Sequence, residues 1–159
     1  MSPHDTTYRL LVIANETITG STLHGSIARC TAGRQSEVLL VAPALNRRLR
    51  HWLSDDREAR RGATRRLVDG LAALRGLGVD AEGVVGDADP LLAIGDALAV
   101  FAADEILVAT HPEGRSYWLE RDLVWKAAER FPQPVWHVTV APEELRGTTV
   151  RGAEFAAAA

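Results

Sequence analysis

Strict alternation constrains this chain most: five apolar runs of strand length are separated, each time, by a segment with helical spacing. The runs cover residues 8–14 (YRLLVIA), 37–42 (EVLLVA), 79–85, 105–109 and 135–140. Consecutive Leu, Val and Ile in 8–14, without a polar residue at every second position, predict a strand buried on both faces, whereas 79–85 reads as a weaker strand. The first connection, 19–32, places Leu23, Ile27 and Cys30 at helical spacing. The second, 55–77, opens with Asp55 and Glu58 at capping-box spacing, carries Ala63, Leu67, Leu71 and Leu74 along one line, and stops at Gly76 and Gly78. The third begins with Asp89 as cap and Pro90 as first helical residue, predicting a helix over 90–102. The fourth, 117–130, has Ser116 as its cap, with Leu119, Leu123, Ala127 and Phe131 facing inward. Parallel neighbours need crossover connections, so this order predicts a doubly wound α/β domain with helices on both faces of an open sheet.

The 159 residues, 47% hydrophobic and 25% charged, suffice for one core. A single domain is expected over 1–142, with 143–159 as a loosely docked tail. No apolar run reaches the ~18 to 20 residues of a membrane span. The opening residues lack a basic region followed by a cleavable apolar stretch, so no signal peptide is read and a cytoplasmic location is expected. The lone cysteine, Cys30, has no partner or metal-ligand spacing and reads as a bystander thiol. His4, His24, His51 and His137 are scattered, and no metal site is assigned. The net charge of −3 gives no support to nucleic-acid binding. Arg47, Arg48, Arg50, Arg57, Arg60, Arg61, Arg65 and Arg66 do crowd one region. Without an aromatic RNA-binding signature they read as a solvated helix face with ordinary ion pairs.

Chemistry concentrates in residues 109–124, ATHPEGRSYWLERDLV. The segment follows the fourth apolar run and precedes the last helix, the place where open α/β sheets bind ligands. Thr110, His111, Gly114, Arg115, Ser116 and Arg121 gather near a helix start, whose unpaired amides favour anions. A phosphate-bearing ligand is the expectation. His111 is read as a loop histidine, because no nucleophile or second histidine stands at a recognisable spacing. Asp87 and Asp89 are read as helix-capping residues, since Pro90 follows. Trp118, Trp125 and Trp136 are assigned to packing or subunit contact.

The stretch VVGDADPLLAIGDALAVFAADEILVATHP, followed by a helix and PVWHVTV, resembles the second half of a universal stress protein (UspA-like). The order and lengths of the elements over about 8–140 fit as well. The likeness is greatest to divergent members from high-GC actinobacteria, in keeping with Lys126 being the one lysine among 18 basic residues. The resemblance implies a five-stranded parallel sheet of order 3-2-1-4-5 and a ligand at the reversal between strands 1 and 4. In nucleotide-binding members an acidic residue ends the first strand; the corresponding turn here is Ala14, Asn15, Glu16, Thr17. Backbone at the end of the second strand, here Val41 and Ala42, is implied to meet adenine. The family's phosphate loop has the pattern GxxG, a nine-residue spacer, then G and S or T. Counted from the terminal PV, its first two glycines fall near Ala109 and Pro112 and its closing pair on Arg121 and Asp122. Gly114 is the one glycine left in the loop. A close backbone cradle for ATP is therefore not expected, because β-carbons and proline keep amides from approaching phosphate. Arg115 and Arg121 are expected to supply guanidinium contacts instead.

Three functions stay open, in this order. The first is a regulatory, non-catalytic ligand-binding module. The second is an adenine-nucleotide binder with a modified phosphate loop, using Asn15, Glu16, Val41, Gly114, Arg115 and Ser116. The third is an enzyme of the wider nucleotide-binding α/β group. A sheet edge at Val135 to Val140 further predicts a homodimer, because an open edge invites pairing.

Overall fold

A computed structural model describes residues 6–44, 54–112, 117–141 and 155–157. The strands are β1 (Tyr8–Ile13), β2 (Ser36–Pro43), β3 (Ala81–Gly86), β4 (Glu105–Thr110) and β5 (Val135–Thr139). They alternate with α1 (Ser21–Thr31), α2 (Ser54–Gly76), α3 (Pro90–Val100) and α4 (Tyr117–Arg130). The five strands are parallel, in the order β3-β2-β1-β4-β5. This is the doubly wound arrangement expected from the alternation.

Each face of the sheet has its own apolar layer, because successive residues of a strand point to opposite sides. Leu10 and Val12 of β1 join Leu23 and Ile27 of α1 and Ala63, Leu67 and Leu74 of α2. Leu11 and Ile13 join Ala93, Ile94 and Ala97 of α3 and Val124 and Ala127 of α4. The helix boundaries follow local chemistry. Asp89 Oδ1 accepts from the Leu91 N–H at 2.9 Å, closing the cap that Pro90 follows. Gly78, at φ 76°, supplies the left-handed residue that ends the turn after α2.

Two expectations change. The first connection does not enter its helix directly: Glu16–Thr19 forms a 3-10 turn, and Gly20 caps α1. The turn is held by the Ile18 N–H donating to the Asn15 carbonyl at 3.1 Å and by the Gly20 N–H donating to the Thr17 carbonyl at 3.0 Å. The tail also contributes more than a loose end. Residues Phe155–Ala157 form β6, antiparallel to β5, with Trp136 opposite Ala157 and Val138 opposite Phe155. Three residues carry no readable periodicity. They form a strand because the outer edge of β5 offers an unpaired row of donors and acceptors.

Candidate ligand-binding site

At the C-terminal ends of β1 and β4, where the strand order reverses, a cavity of about 70 Å³ opens. Its polar wall consists of Asn15, Glu16, Thr17, Arg66, Thr110 and His111. Apolar walls come from Ile13, Ala14, Pro43, Pro90, Val108, Ala109 and Leu123.

Asn15 is the keystone of the β1 side. Its side-chain amide donates to the Pro43 carbonyl at 2.6 Å, tying β1 to the end of β2. Its Oδ1 accepts from an Arg66 guanidinium nitrogen at 2.6 Å. Arg66 reaches the cavity because α2 lies close against the 3-10 turn. A Cβ on Gly70, one turn further along α2, would overlap the Ile18 side chain. Only glycine allows that approach.

Glu16 and His111 face each other across the β1 to β4 gap, with Oε2 and Nε2 3.5 Å apart. The contact is an ion pair when the imidazole is protonated. Thr17 is 2% exposed, and its hydroxyl donates to the Ala109 carbonyl at 3.3 Å, fastening the turn to β4. The Thr110 hydroxyl, also buried, lies 2.6 Å from His137 Nε2 on β5. Both hydroxyls are engaged within the protein. The described residues contain no group of three or more side chains suited to a metal ion.

Of the residues expected at the site, the structure brings together Asn15, Glu16, Thr17, Thr110 and His111. Val41 and Ala42 are buried, at 1% and 0% exposed, and neither is among the lining residues. Gly114, Arg115 and Ser116 lie outside the described residues, as do the side chains of Trp118, Leu119 and Arg121. Arg66 departs from the solvated face assigned to the arginine cluster. A sequence signal for it exists: residue 66 falls on the inward line of α2 with Ala63, Leu67 and Gly70, where a charged side chain needs a reason. Asp87 and Asp89 behave as turn and cap residues, Asp87 Oδ1 accepting from the Asp89 N–H at 2.8 Å. Cys30 is a half-buried free thiol whose pKa is raised, first by burial and then by Glu105. Trp136 is half-buried against the α1 and α2 layer, whereas Trp125 is 56% exposed.

No protein-family model matches the chain, and no curated protein sequence matches it. Solved structures do. A universal stress protein family member from Burkholderia pseudomallei superposes with a TM-score of 0.53 at 17% identity, covering 87% of this chain and 98% of that one. A universal stress protein family protein from Arabidopsis thaliana, solved with AMP bound, gives 0.53 at 14% identity, covering 86% and 94%. The A40926 pseudoaglycone deacetylase Dbv21 gives 0.51 at 19% identity, covering 93% of this chain and 69% of that one. The chain therefore has the UspA-like α/β fold of the universal stress proteins. No helix among the described residues is long and apolar enough to cross a membrane.

Proposed function

We propose that this protein is a regulatory, non-catalytic ligand-binding module of the universal-stress type, which takes a phosphate-bearing small molecule at the C-terminal ends of β1 and β4. The observation that carries this reading is the cavity at the strand-order reversal, into which Arg66 and Asn15 converge from one side and Glu16 and His111 from the other. A guanidinium in a partly apolar recess binds an anion more strongly than one in open water, because the local dielectric is lower. The hydroxyls beside the site are engaged in holding strands together, which favours binding over catalysis.

A second reading, an adenine-nucleotide binder with a modified phosphate loop, is supported by the AMP present in the Arabidopsis neighbour. Arg115, Ser116 and Arg121 would supply its phosphate contacts beside Gly114. Calorimetric titration with ATP, ADP, AMP and cyclic nucleotides separates the two readings. Heat with the adenine nucleotides is expected of the second reading, and absence of heat or thermal shift at millimolar ligand would sink it and leave the first. The arginine-rich composition fits an actinobacterial type, and a cytoplasmic stress-response role fits the fold. A homodimer through Val135 to Val140 remains part of the proposal, with one condition: β6 occupies that edge, so pairing there requires β6 to leave it. Sedimentation that finds only monomer at high concentration ends the dimer proposal.

A further inference from the structure

We infer that β6 is an autoinhibitory strap: it lies on the edge of β5 at which two copies of the chain would pair, and its release sets how strongly they associate. The inference rests on the homodimer reading above and adds to it the segment that governs the dimer.

The way β6 docks shows what the edge accepts. It runs antiparallel to β5, with Trp136 opposite Ala157, His137 opposite Ala156 and Val138 opposite Phe155. A second copy brought to the same edge by a two-fold axis normal to the sheet also presents an antiparallel strand, because that operation reverses strand direction and keeps the faces of the sheet aligned. One outward row of donors and acceptors therefore serves either occupant, but not both at once.

The two occupants differ in what they offer. β6 has three residues, whereas β5 itself has five, Val135–Thr139. Trp136 and Val138 lie on the sheet face covered by α1 and α2, and Trp136 is only half-buried there. Centred on His137, a pair of β5 strands sets the partner's Val138 opposite Trp136, where β6 sets an alanine. A branched side chain fills more of the gap beside an indole than a methyl group does, so a second copy packs better against this edge than β6. The advantage of β6 is that it is tethered. That tether is long: residues 139–154 lie between the paired Val138 and Phe155, whereas a tight hairpin closes in about two to five residues.

Both copies must shed β6 before they pair, so the fraction of released chains enters the dimer equilibrium twice. With β6 docked in about nine chains of ten, the apparent dissociation constant of the dimer rises about a hundredfold.

The test compares the full chain with a full-length variant carrying Phe155→Pro and Ala156→Pro, by sedimentation over a concentration series. Consecutive strand residues turn their N–H groups alternately toward and away from the neighbour, so one of the two prolines removes a donor that faces β5. The wild type should associate only at the top of the series, and the variant should dimerise at least about tenfold more tightly. In the dimeric variant, hydrogen exchange at the outward amides of β5 should slow as concentration rises through the dimerisation range. Dissociation constants within about tenfold of each other overturn the inference and leave the homodimer standing. A variant that associates more weakly than the wild type overturns it too, since β6 would then be part of the dimer. A dimeric variant whose β5 amides stay unprotected pairs through another surface, which also overturns it. If both proteins stay monomeric at high concentration, the homodimer reading fails and the inference fails with it.

Discussion

The two ends of the same parallel sheet are finished in opposite ways. At the N-terminal end, charged groups close on one another. The Arg9 N–H donates to Asp104 at 2.8 Å, and the Arg9 guanidinium pairs with Glu37 at 3.0 Å. The Tyr8 hydroxyl donates to Glu105 at 2.7 Å, while the Arg34 guanidinium lies 3.4 Å from the centre of the Tyr8 ring. At the C-terminal end, the polar groups instead surround an opening. A hollow of about 230 Å³ also exists at the N-terminal side. Its lining of Glu37, Val38, Leu39, Asp80, Glu82 and Phe101 brings three carboxylates together with no side-chain donor among them. What distinguishes the candidate site is opposed groups of both signs converging at a strand-order reversal.

This contrast breaks if the N-terminal cluster turns out to affect ligand, or if the C-terminal cluster serves stability alone. The largest expected effect on stability comes from Tyr8→Phe, which removes a hydrogen bond to a carboxylate. The loss should be about 1.5 kcal/mol, the low end for such bonds because Glu105 is partly exposed. Denaturant unfolding checks it, and ligand affinity should not change. The same variant has a pH signature. Burial and then Glu105 raise the Tyr8 pKa above its ordinary value, so the folded state favours the neutral phenol. That stability is complete below the ordinary tyrosine pKa of about 10 and is lost as pH rises beyond it. Melting curves between about pH 9 and 11 should fall less steeply for Tyr8→Phe than for the wild type. An equal fall would show that Tyr8 does not carry the linkage.

Asn15→Ala should have the smaller effect on stability, about 1 kcal/mol, since it removes two bonds in a partly exposed setting. Its effect on ligand should be the larger of the two variants, because Arg66 loses the group that aims it. Affinity unchanged within error in a calorimetric titration would mean that the Asn15–Arg66 contact only braces α2.

Much of the fold was legible because both its signals are local. Runs such as Leu10 to Ile13 in β1, or Leu39, Leu40 and Val41 in β2, declare a buried strand directly. Asp89 with Pro90 declares a helix start just as directly. The strand end at Thr110 and His111 was legible for the same reason, as residues immediately following an apolar run, whereas the turn at Asn15, Glu16 and Thr17 came from the resemblance to universal stress proteins. The 3-10 turn was not, since one turn of helix has no period to detect. Nor was β6, whose three residues take their structure from the edge they meet.

The sequence by itself determined the alternating elements and the two-sided core, because hydrophobic spacing and capping chemistry act over a few residues. Only the tertiary structure decided that Arg66, far along the chain from Asn15, meets it at the cavity. It likewise decided that the main-chain groups of Val41, Pro43 and Ala44 are engaged and that β5 is not the sheet's last strand. Those outcomes depend on which surfaces approach after packing, and a close contact permitted by a glycine such as Gly70 leaves no pattern at the residue it brings in.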